Sequence, residues 1–252
     1  MVNLEGFDDA VARARSFPAL SLGLHFNLTT GKPLTPAPSL TRPETGEFYP
    51  LAVLMARASV GRVDSSDVRT ECAAQIDRMI ASGIRPTHLD SHRHTHAHPA
   101  LWPAVVSTAS SRGITNVRVP SEPLWANAAN WRATLKKAGL MVSTRISRRR
   151  SGASNPIHFF GISLQGGRGF APRLFALIPK LPAGTSELMT HPGYSDAALS
   201  AHDGYTWQRE EELRVLCSRE LRDLLARSGI ELACFRNALS SDAGEGQIAQ
   251  HR

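Results

Sequence analysis

One short stretch constrains this chain more than any other. Residues 87–99 contain five of the ten histidines together with Asp90, and they follow Gly83 and Pro86, which end a predicted helix and lead into a buried strand. Side chains alternate in direction along an extended chain, so one strand face is expected to carry His88, Asp90, His92, His94 and His96. Neutral imidazole is the commonest metal ligand in proteins, and a nearby carboxylate orients its ring nitrogens or acts as a base. The pattern therefore favours a metal site over a solvated histidine-rich loop.

Length and composition favour a single soluble domain. The chain has 252 residues, of which 42% are hydrophobic and 20% charged, and this balance supports a packed core. We expect one domain over residues 1–239 and a disordered polar tail over residues 240–252. No apolar run approaches the roughly 20 residues that span a bilayer, and the first residues lack a signal-peptide pattern. A cytoplasmic protein without a membrane partner is predicted.

The charge of the chain raises the question of nucleic-acid binding. The net charge is +7, and much of the excess lies in the basic cluster of residues 145–150. No aromatic residues are interleaved with this cluster, and no known binding motif surrounds it. We interpret it as a solvated basic loop and expect no nucleic-acid partner.

The order of predicted elements indicates an α/β fold. Strand, loop and helix alternate along the chain, which is typical of a parallel sheet with helices packed outside it. His25, His92 and His191 each lie near the carboxyl end of a predicted strand, where such folds collect their chemistry. Taken singly, His25 is better interpreted as a satisfied strand histidine, and His191 is equally well a turn-capping one. The long Pro- and Gly-rich loop over residues 29–50 is expected to form a substrate rim.

Three ordered motifs match a known family. They are GLHFNL with GKPL over residues 23–34, HLDSHRHTH over residues 88–96, and THPGY over residues 190–194. Weaker matches include Glu71 with Gln75 before the histidine stretch, Arg118 with Glu122, and an R-x-x-E-L-x-x-L pattern that begins at Arg209. Over residues 1–236 the chain resembles the YdjC-like carbohydrate deacetylases.

The resemblance implies an incomplete TIM-like (β/α) barrel, a divalent metal (Mg²⁺ or Zn²⁺) and hydrolysis of N-acetyl groups on acetylated amino sugars or oligosaccharides. His25 and His92 match the metal histidines of the family, and His191 matches its catalytic histidine. His94 and His96 fall inside the same motif with a less certain role. The family also begins with an N-A-D-D-F-G strand that supplies a metal-binding aspartate and a base. Nothing in this chain matches that strand, so weak activity is expected.

The remaining candidates follow from the chemistry of amide hydrolysis. His191 is placed to give a proton to the departing amine, because its pKa lies near neutrality. Asp90 is counted with the catalytic residues as the partner that orients a histidine, with a helix or turn cap as the alternative. Arg118 and Glu122 are expected to bind sugar hydroxyls, or else to form a surface ion pair. Tyr194 is expected to stack on a sugar face, or else to pack in the core or at the rim.

Two alternatives to an active enzyme stay open at this point. The first is a non-catalytic remnant, or a sugar-binding protein, that keeps the fold without the complete site. The second and weaker alternative is a basic nucleic-acid-binding protein. A homodimer is compatible with each of these predictions.

Overall fold

The computed structural model describes residues 1–126, 131–151, 157–166, 168–202 and 204–236. Internal contacts divide the chain into two compact units. The first unit comprises Met1–Val119, Val142–Asn155 and Cys234–Arg252, and the second comprises Pro120–Met141 and Pro156–Ala233. The single domain expected over residues 1–239 stays a prediction, and the expected disordered tail lies outside the described residues.

The first unit holds two strands and four helices of its own. Strand β1 (Leu24–Phe26) pairs in parallel with β2 (Leu89–Ser91), and β2 makes one further parallel bridge from Leu89 to Val117. The helices are α1 (Phe7–Ala14), α2 (Leu51–Ser59), α3 (Ser65–Ala81) and α4 (Trp102–Ser111). A 3₁₀ segment, His92–Ala97, directly follows β2. The two strands are therefore joined through α2 and α3, as a parallel pair requires.

Helix α3 shows how the local sequence determines an element. Its first turn is capped by Asp64, whose side chain accepts a hydrogen bond from the Ser66 amide at 2.8 Å. The spacing of four apolar residues, three or four apart, predicts a buried helix face, and all four are almost inaccessible: Val68, Cys72, Ile76 and Met79. This face packs against α4 and β1.

The loop expected to form a substrate rim is fixed to α3. The buried carboxylate of Glu71 accepts hydrogen bonds from the amides of Leu34 and Thr35 and from the Thr35 hydroxyl. Gln75, one turn further along α3, donates to Glu71 and also to the carbonyl of Asn27. These bonds satisfy a carboxylate that burial would otherwise destabilise, and they hold the loop in place.

The second unit is also built on a parallel pair. Strand β3 (His158–Phe160) pairs with β4 (Ser186–Leu188), and α6 (Phe170–Leu177) lies between them in the chain. Helices α7 (Ala197–His202), α8 (Trp207–Leu216) and α9 (Arg219–Arg227) follow β4. Helix α5 (Trp131–Ser151) contributes residues to both units. The core of the second unit is formed by apolar residues of these elements and of the 3₁₀ segment Ile178–Lys180 after α6, including Phe160, Phe170, Leu174, Ile178 and Val215.

Several predicted boundaries are wrong. The sequence predicts one long helix over residues 206–227, but this helix is broken at Cys217, because the Ser218 hydroxyl accepts from the Leu221 amide and starts α9. The basic cluster expected to be a loop lies within α5, and this helix continues past Gly139. The sequence also predicts a final strand over residues 230–235, and these residues, all of which the structure describes, form none.

The fold class is confirmed at its coarser level, as an α/β arrangement of parallel strands and helices. Closure into a TIM-like barrel stays a prediction. Among the described residues, none of the helices combines the length and the apolar character that crossing a bilayer requires. The expected cytoplasmic location stays a prediction.

Candidate active site

His25 and Asp90 are directly opposite each other on paired strands. In the register of β1 and β2, His25 is the partner of Asp90, and its Nδ1 lies 2.8 Å from Asp90 Oδ1. The side chain of Asp90 is 11% exposed and that of His25 is 39% exposed. The imidazole therefore reaches from a buried carboxylate toward the accessible surface.

Arg118 completes the environment of Asp90. Its guanidinium donates to Asp90 Oδ2, and its own backbone amide donates to the Leu89 carbonyl at 2.9 Å. Burial alone would raise the pKa of Asp90, but the hydrogen bond from His25 and the charge of Arg118 outweigh it and hold this pKa well below its ordinary value. The surface ion pair considered for Arg118 is wrong, since its side chain is only 11% exposed and its partner is Asp90.

His92 follows β2 directly and lies beside His25. The two rings have centroids 5.8 Å apart and meet edge to face. The chain then turns sharply, because Arg93 and His94 both adopt left-handed backbone conformations with φ of 56° and 57°. The expected single face of five residues is therefore wrong: the strand ends at Ser91, and the later histidines of the stretch leave its plane.

Three other histidines of the stretch, His88, His94 and His96, are packed inside the unit. The His88 ring stacks on Phe235 at 3.9 Å and lies so close to Gly23 that a Cβ there would be 2.2 Å from it. His94 and His96 are buried, and both ring nitrogens of His96 are bonded within the protein, to the Arg118 carbonyl and to Ser91. Burial lowers the pKa of both His88 and His96 to about 4.

The arrangement fits part of a metal site. Two imidazoles that share a metal at about 2.0–2.1 Å have ring centroids roughly 5 Å apart, close to the separation of His25 and His92. A carboxylate on the second nitrogen of a ligand histidine, as Asp90 is on His25, is the usual means of orienting it. Within the part of the chain that the structure describes, no group of three or more His, Cys, Asp or Glu residues is placed to hold a metal ion.

His191 lies in the second unit, three residues after β4. Its backbone amide donates to Glu212, and its ring meets that of Tyr205 at 5.7 Å. The buried Glu212 also accepts from the Tyr205 hydroxyl, and burial, helped by this bond, raises the pKa of Tyr205. Glu212 was missed as a site residue, although it is the glutamate of the helix motif that begins at Arg209. The convergence of His191 on His25 stays a prediction.

The two other expected sugar contacts differ in character. Glu122 is fully buried, and its carboxylate accepts from the amides of Gly161 and Ser163 and from the Ser163 hydroxyl. The surface ion pair is therefore wrong for Glu122, and its geometry indicates a structural role in place of the expected substrate contact. Tyr194 is 83% exposed, so core packing is wrong for it and its ring is accessible to a ligand.

Comparison with known proteins identifies relatives over nearly the whole chain. The model of the YdjC-like protein family matches residues 1–227. A carbohydrate deacetylase of Geobacillus stearothermophilus is 31% identical over 94% of this chain and 83% of the relative, and one of Brevibacillus brevis is 34% identical over 93% and 85%. A chitooligosaccharide deacetylase of Enterobacter sp. is 31% identical over 93% of this chain and 84% of the relative.

A solved structure agrees with this at the level of the fold. The crystal structure of an Enterococcus faecalis protein, provisionally assigned as a cellobiose-phosphate cleavage protein, superposes with a TM-score of 0.69. The similarity covers 94% of this chain and 85% of that one at 24% identity. From the family match and the extent of these similarities, the chain belongs to the YdjC-like protein family.

Proposed function

We propose that this protein is a metal-dependent hydrolase that removes N-acetyl groups from acetylated amino sugars or oligosaccharides. The observation that carries the proposal is the buried Asp90 on Nδ1 of His25, beside His92, in a chain whose relatives are named carbohydrate and chitooligosaccharide deacetylases. We also propose that the parallel strand pairs belong to an incomplete TIM-like barrel, in which active sites lie at the carboxyl ends of strands.

The roles of the residues follow from the chemistry of amide hydrolysis. When bound, a Mg²⁺ or Zn²⁺ ion would supply activation of the attacking water and polarisation of the amide carbonyl. His25 and His92 would hold the ion, and Asp90 keeps the hydrogen of His25 on Nδ1 so that the lone pair of Nε2 is available. His191 gives a proton to the departing amine, with its backbone held by Glu212. The exposed ring of Tyr194 offers a face for the sugar.

A second candidate is a sugar-binding protein without catalytic activity. It is favoured by the metal-ligand count, because the described residues bring together two histidines and no third ligand. The two candidates share the fold and the sugar, and they differ in whether acetate is released. The expectations of no nucleic-acid partner and of a homodimer stay predictions.

The test measures metal binding and acetate release in the same preparations. The protein is stripped with a chelator, reloaded with Zn²⁺ or Mg²⁺, and supplied with acetylated chitooligosaccharides. The proposal expects acetate release that depends on the metal and falls sharply in His92→Ala. The matched control is His98→Ala, because His98 lies beyond the 3₁₀ segment and bonds to Ser59 at 3.1 Å. Sugar binding without acetate release would favour the second candidate, and equal metal loss in both variants would contradict a specific site.

A further inference from the structure

We infer that His96 is a positioning residue for His25 and acts on it through Arg118 and Asp90. A series of hydrogen bonds runs from His96 to the Arg118 carbonyl, from the Arg118 guanidinium to Asp90, and from Asp90 to His25. The inference rests on the proposed function only in taking His25 as a metal ligand. Its geometric part concerns which nitrogen of His25 carries the hydrogen.

The bonds of His96 have only one possible direction. Its Nε2 lies 2.8 Å from the Arg118 carbonyl oxygen, and a carbonyl can only accept, so Nε2 carries the hydrogen. The Ser91 oxygen already accepts two hydrogen bonds, from the His96 amide at 3.0 Å and from the Thr95 hydroxyl, so its own hydrogen is donated to Nδ1, which is the acceptor. The ring is therefore neutral, fully buried and fixed in one tautomer.

The backbone around His96 adopts a conformation that needs such support. Left-handed conformations are unfavourable for residues with a Cβ, and the turn contains two of them, at Arg93 and His94. The bonds between Ser91 and His96 close this turn, and a further contact from the Thr95 hydroxyl reaches the Ser91 oxygen at 3.3 Å. The position of His96 is consequently set by the residue that ends β2.

His96 in turn fixes Arg118. The Arg118 carbonyl accepts from His96, and the Arg118 amide donates to the Leu89 carbonyl in β2. With both backbone groups held, the guanidinium is directed at Asp90 Oδ2 inside a nearly inaccessible site. Asp90 then has one oxygen on Arg118 and the other on His25 Nδ1, so its carboxylate cannot turn without losing a partner.

The hydrogen bonds of His96 also affect the His25 ring, which would bind the metal. An acceptor at 2.8 Å keeps the His25 hydrogen on Nδ1 and leaves the Nε2 lone pair available. Without the His96 bond, the Arg118 backbone loses one anchor and Asp90 loses the fixed direction of its partner. His25 would then sample both tautomers, and only one of them leaves Nε2 free to coordinate.

The variants are chosen to remove the bonds while keeping the ring. His96→Phe retains the stacking on Trp102, whose ring centroid lies 5.9 Å away, but it loses both nitrogens. Arg118→Gln removes the guanidinium at the next step. His98→Phe is the matched control, because it makes the same chemical change at a histidine outside this set of bonds. Ser91→Ala removes only the hydroxyl that donates to His96 and serves if His96→Phe does not fold.

The first measurement needs no metal. Long-range ¹H–¹⁵N spectra of metal-free, ¹⁵N-histidine-labelled protein report the tautomer of each ring. The wild type and His98→Phe are expected to show His25 with its hydrogen on Nδ1. His96→Phe and Arg118→Gln are expected to show a mixture of both tautomers. A folded His96→Phe in which His25 keeps the wild-type tautomer would overturn the inference, and so would an equal change in His98→Phe.

The second measurement is Zn²⁺ affinity by calorimetry. We expect a loss of about 10–100-fold in His96→Phe and in Arg118→Gln, the range found for residues that orient metal ligands. The double variant should lose no more than the weaker-binding single variant, because both act through Asp90. Additive losses, or an affinity within about twofold of wild type in His96→Phe, would contradict the inference. If the wild type binds no metal, the proposed function fails, and the tautomer spectra still decide the role of His96.

Discussion

His25 and Asp90 face each other across two parallel strands, with Nδ1 of the imidazole 2.8 Å from Oδ1 of the carboxylate. The register of the strands alone places them so, because directly paired residues of adjacent strands project to the same side of the sheet. The second oxygen of Asp90 belongs to Arg118. The pairing of the two short strands therefore also determines the orientation of His25 as a candidate ligand.

The first prediction concerns the loss of Asp90. Asp90→Asn leaves the guanidinium of Arg118 nearly buried without its charged partner, and breaking a buried pair costs about 3–5 kcal/mol. We expect a loss in the free energy of unfolding at the lower end of that range, measured by urea denaturation. The control is Asp77→Asn, whose partner Arg112 lies in a more exposed pair and where about 1 kcal/mol or less is expected. Equal losses in the two variants would show that the Asp90–Arg118 pair stabilises the fold no more than the exposed pair does.

The second prediction concerns stability in acid. His88 and His96 have pKa values of about 4 in the folded protein because they are buried, whereas an unfolded histidine titrates near 6.5. Between these values the unfolded state binds more protons, so stability is lost as the pH falls from about 6.5 to 4. Over this pH range each of the two histidines can lower the free energy of unfolding by up to roughly 3 kcal/mol, at about 1.4 kcal/mol per pH unit. Asp90 has a lowered pKa, so its contribution to the free energy of unfolding is lost only when the pH falls below the ordinary pKa range of aspartate.

The measurement is the free energy of unfolding in urea at several pH values across this window. In His88→Asn, unfolding should take up about one proton fewer, because one titrating group is gone. The free energy of unfolding should therefore decline less steeply as the pH falls. A stability that stays constant between about pH 6.5 and 4.5 would contradict the prediction.

The third prediction concerns the reactivity of the cysteines. Cys72 is fully inaccessible in α3, and burial raises its pKa to about 12, so almost no thiolate forms near neutral pH. Cys217 is exposed and is the internal control. A thiol reagent applied to the native protein should label Cys217 within minutes and Cys72 only after unfolding, as read by peptide mass spectrometry. Labelling of both at the same rate in folded protein would contradict this.

The fourth prediction separates the roles of Glu122 and Tyr194. Glu122→Ala removes three hydrogen bonds and leaves buried donors unsatisfied, at about 1–3 kcal/mol for each, so we expect a strongly destabilised protein. Tyr194→Ala removes an exposed ring and should leave the unfolding free energy within about 0.5 kcal/mol of wild type. Its expected effect is a higher KM for acetylated oligosaccharides. A change of KM without loss of stability in Glu122→Ala would restore the substrate contact that we first expected.

The elements that could be predicted are those with strong local signals. Helix α3 has an apolar stripe and an aspartate cap, and both appear as the pattern indicates. The predicted strands around His25 and Asp90 exist, but each is only three residues long. After β1 the Asn27 amide donates to the Gln75 side chain, and after β2 the chain turns at Arg93 and His94. Strand ends depend on such tertiary partners, which spacing along the chain does not reveal.

The sequence predicted which residues form the candidate site better than it predicted the contacts between them. His25, Asp90 and His92 do lie together, but the strand face expected to continue to His96 ends at Ser91. The reason is the pair of left-handed residues, and no glycine or asparagine at these positions signalled the turn. Arg118 is part of the site because it bonds to Asp90. This pairing could not be predicted from the sequence, since the two residues are 28 positions apart.

The turn at Arg93 and His94 also bears on how this protein could be evolved in the laboratory. Glycine or asparagine would adopt the same backbone more easily at both positions, by about 1 kcal/mol or more each. A library randomised at these two codons and selected for heat resistance alone should therefore drift toward glycine. The same library selected for turnover tests a different property, because His94 is buried beside the residues that close the turn. The two selections would separate what the backbone prefers from what the chemistry requires.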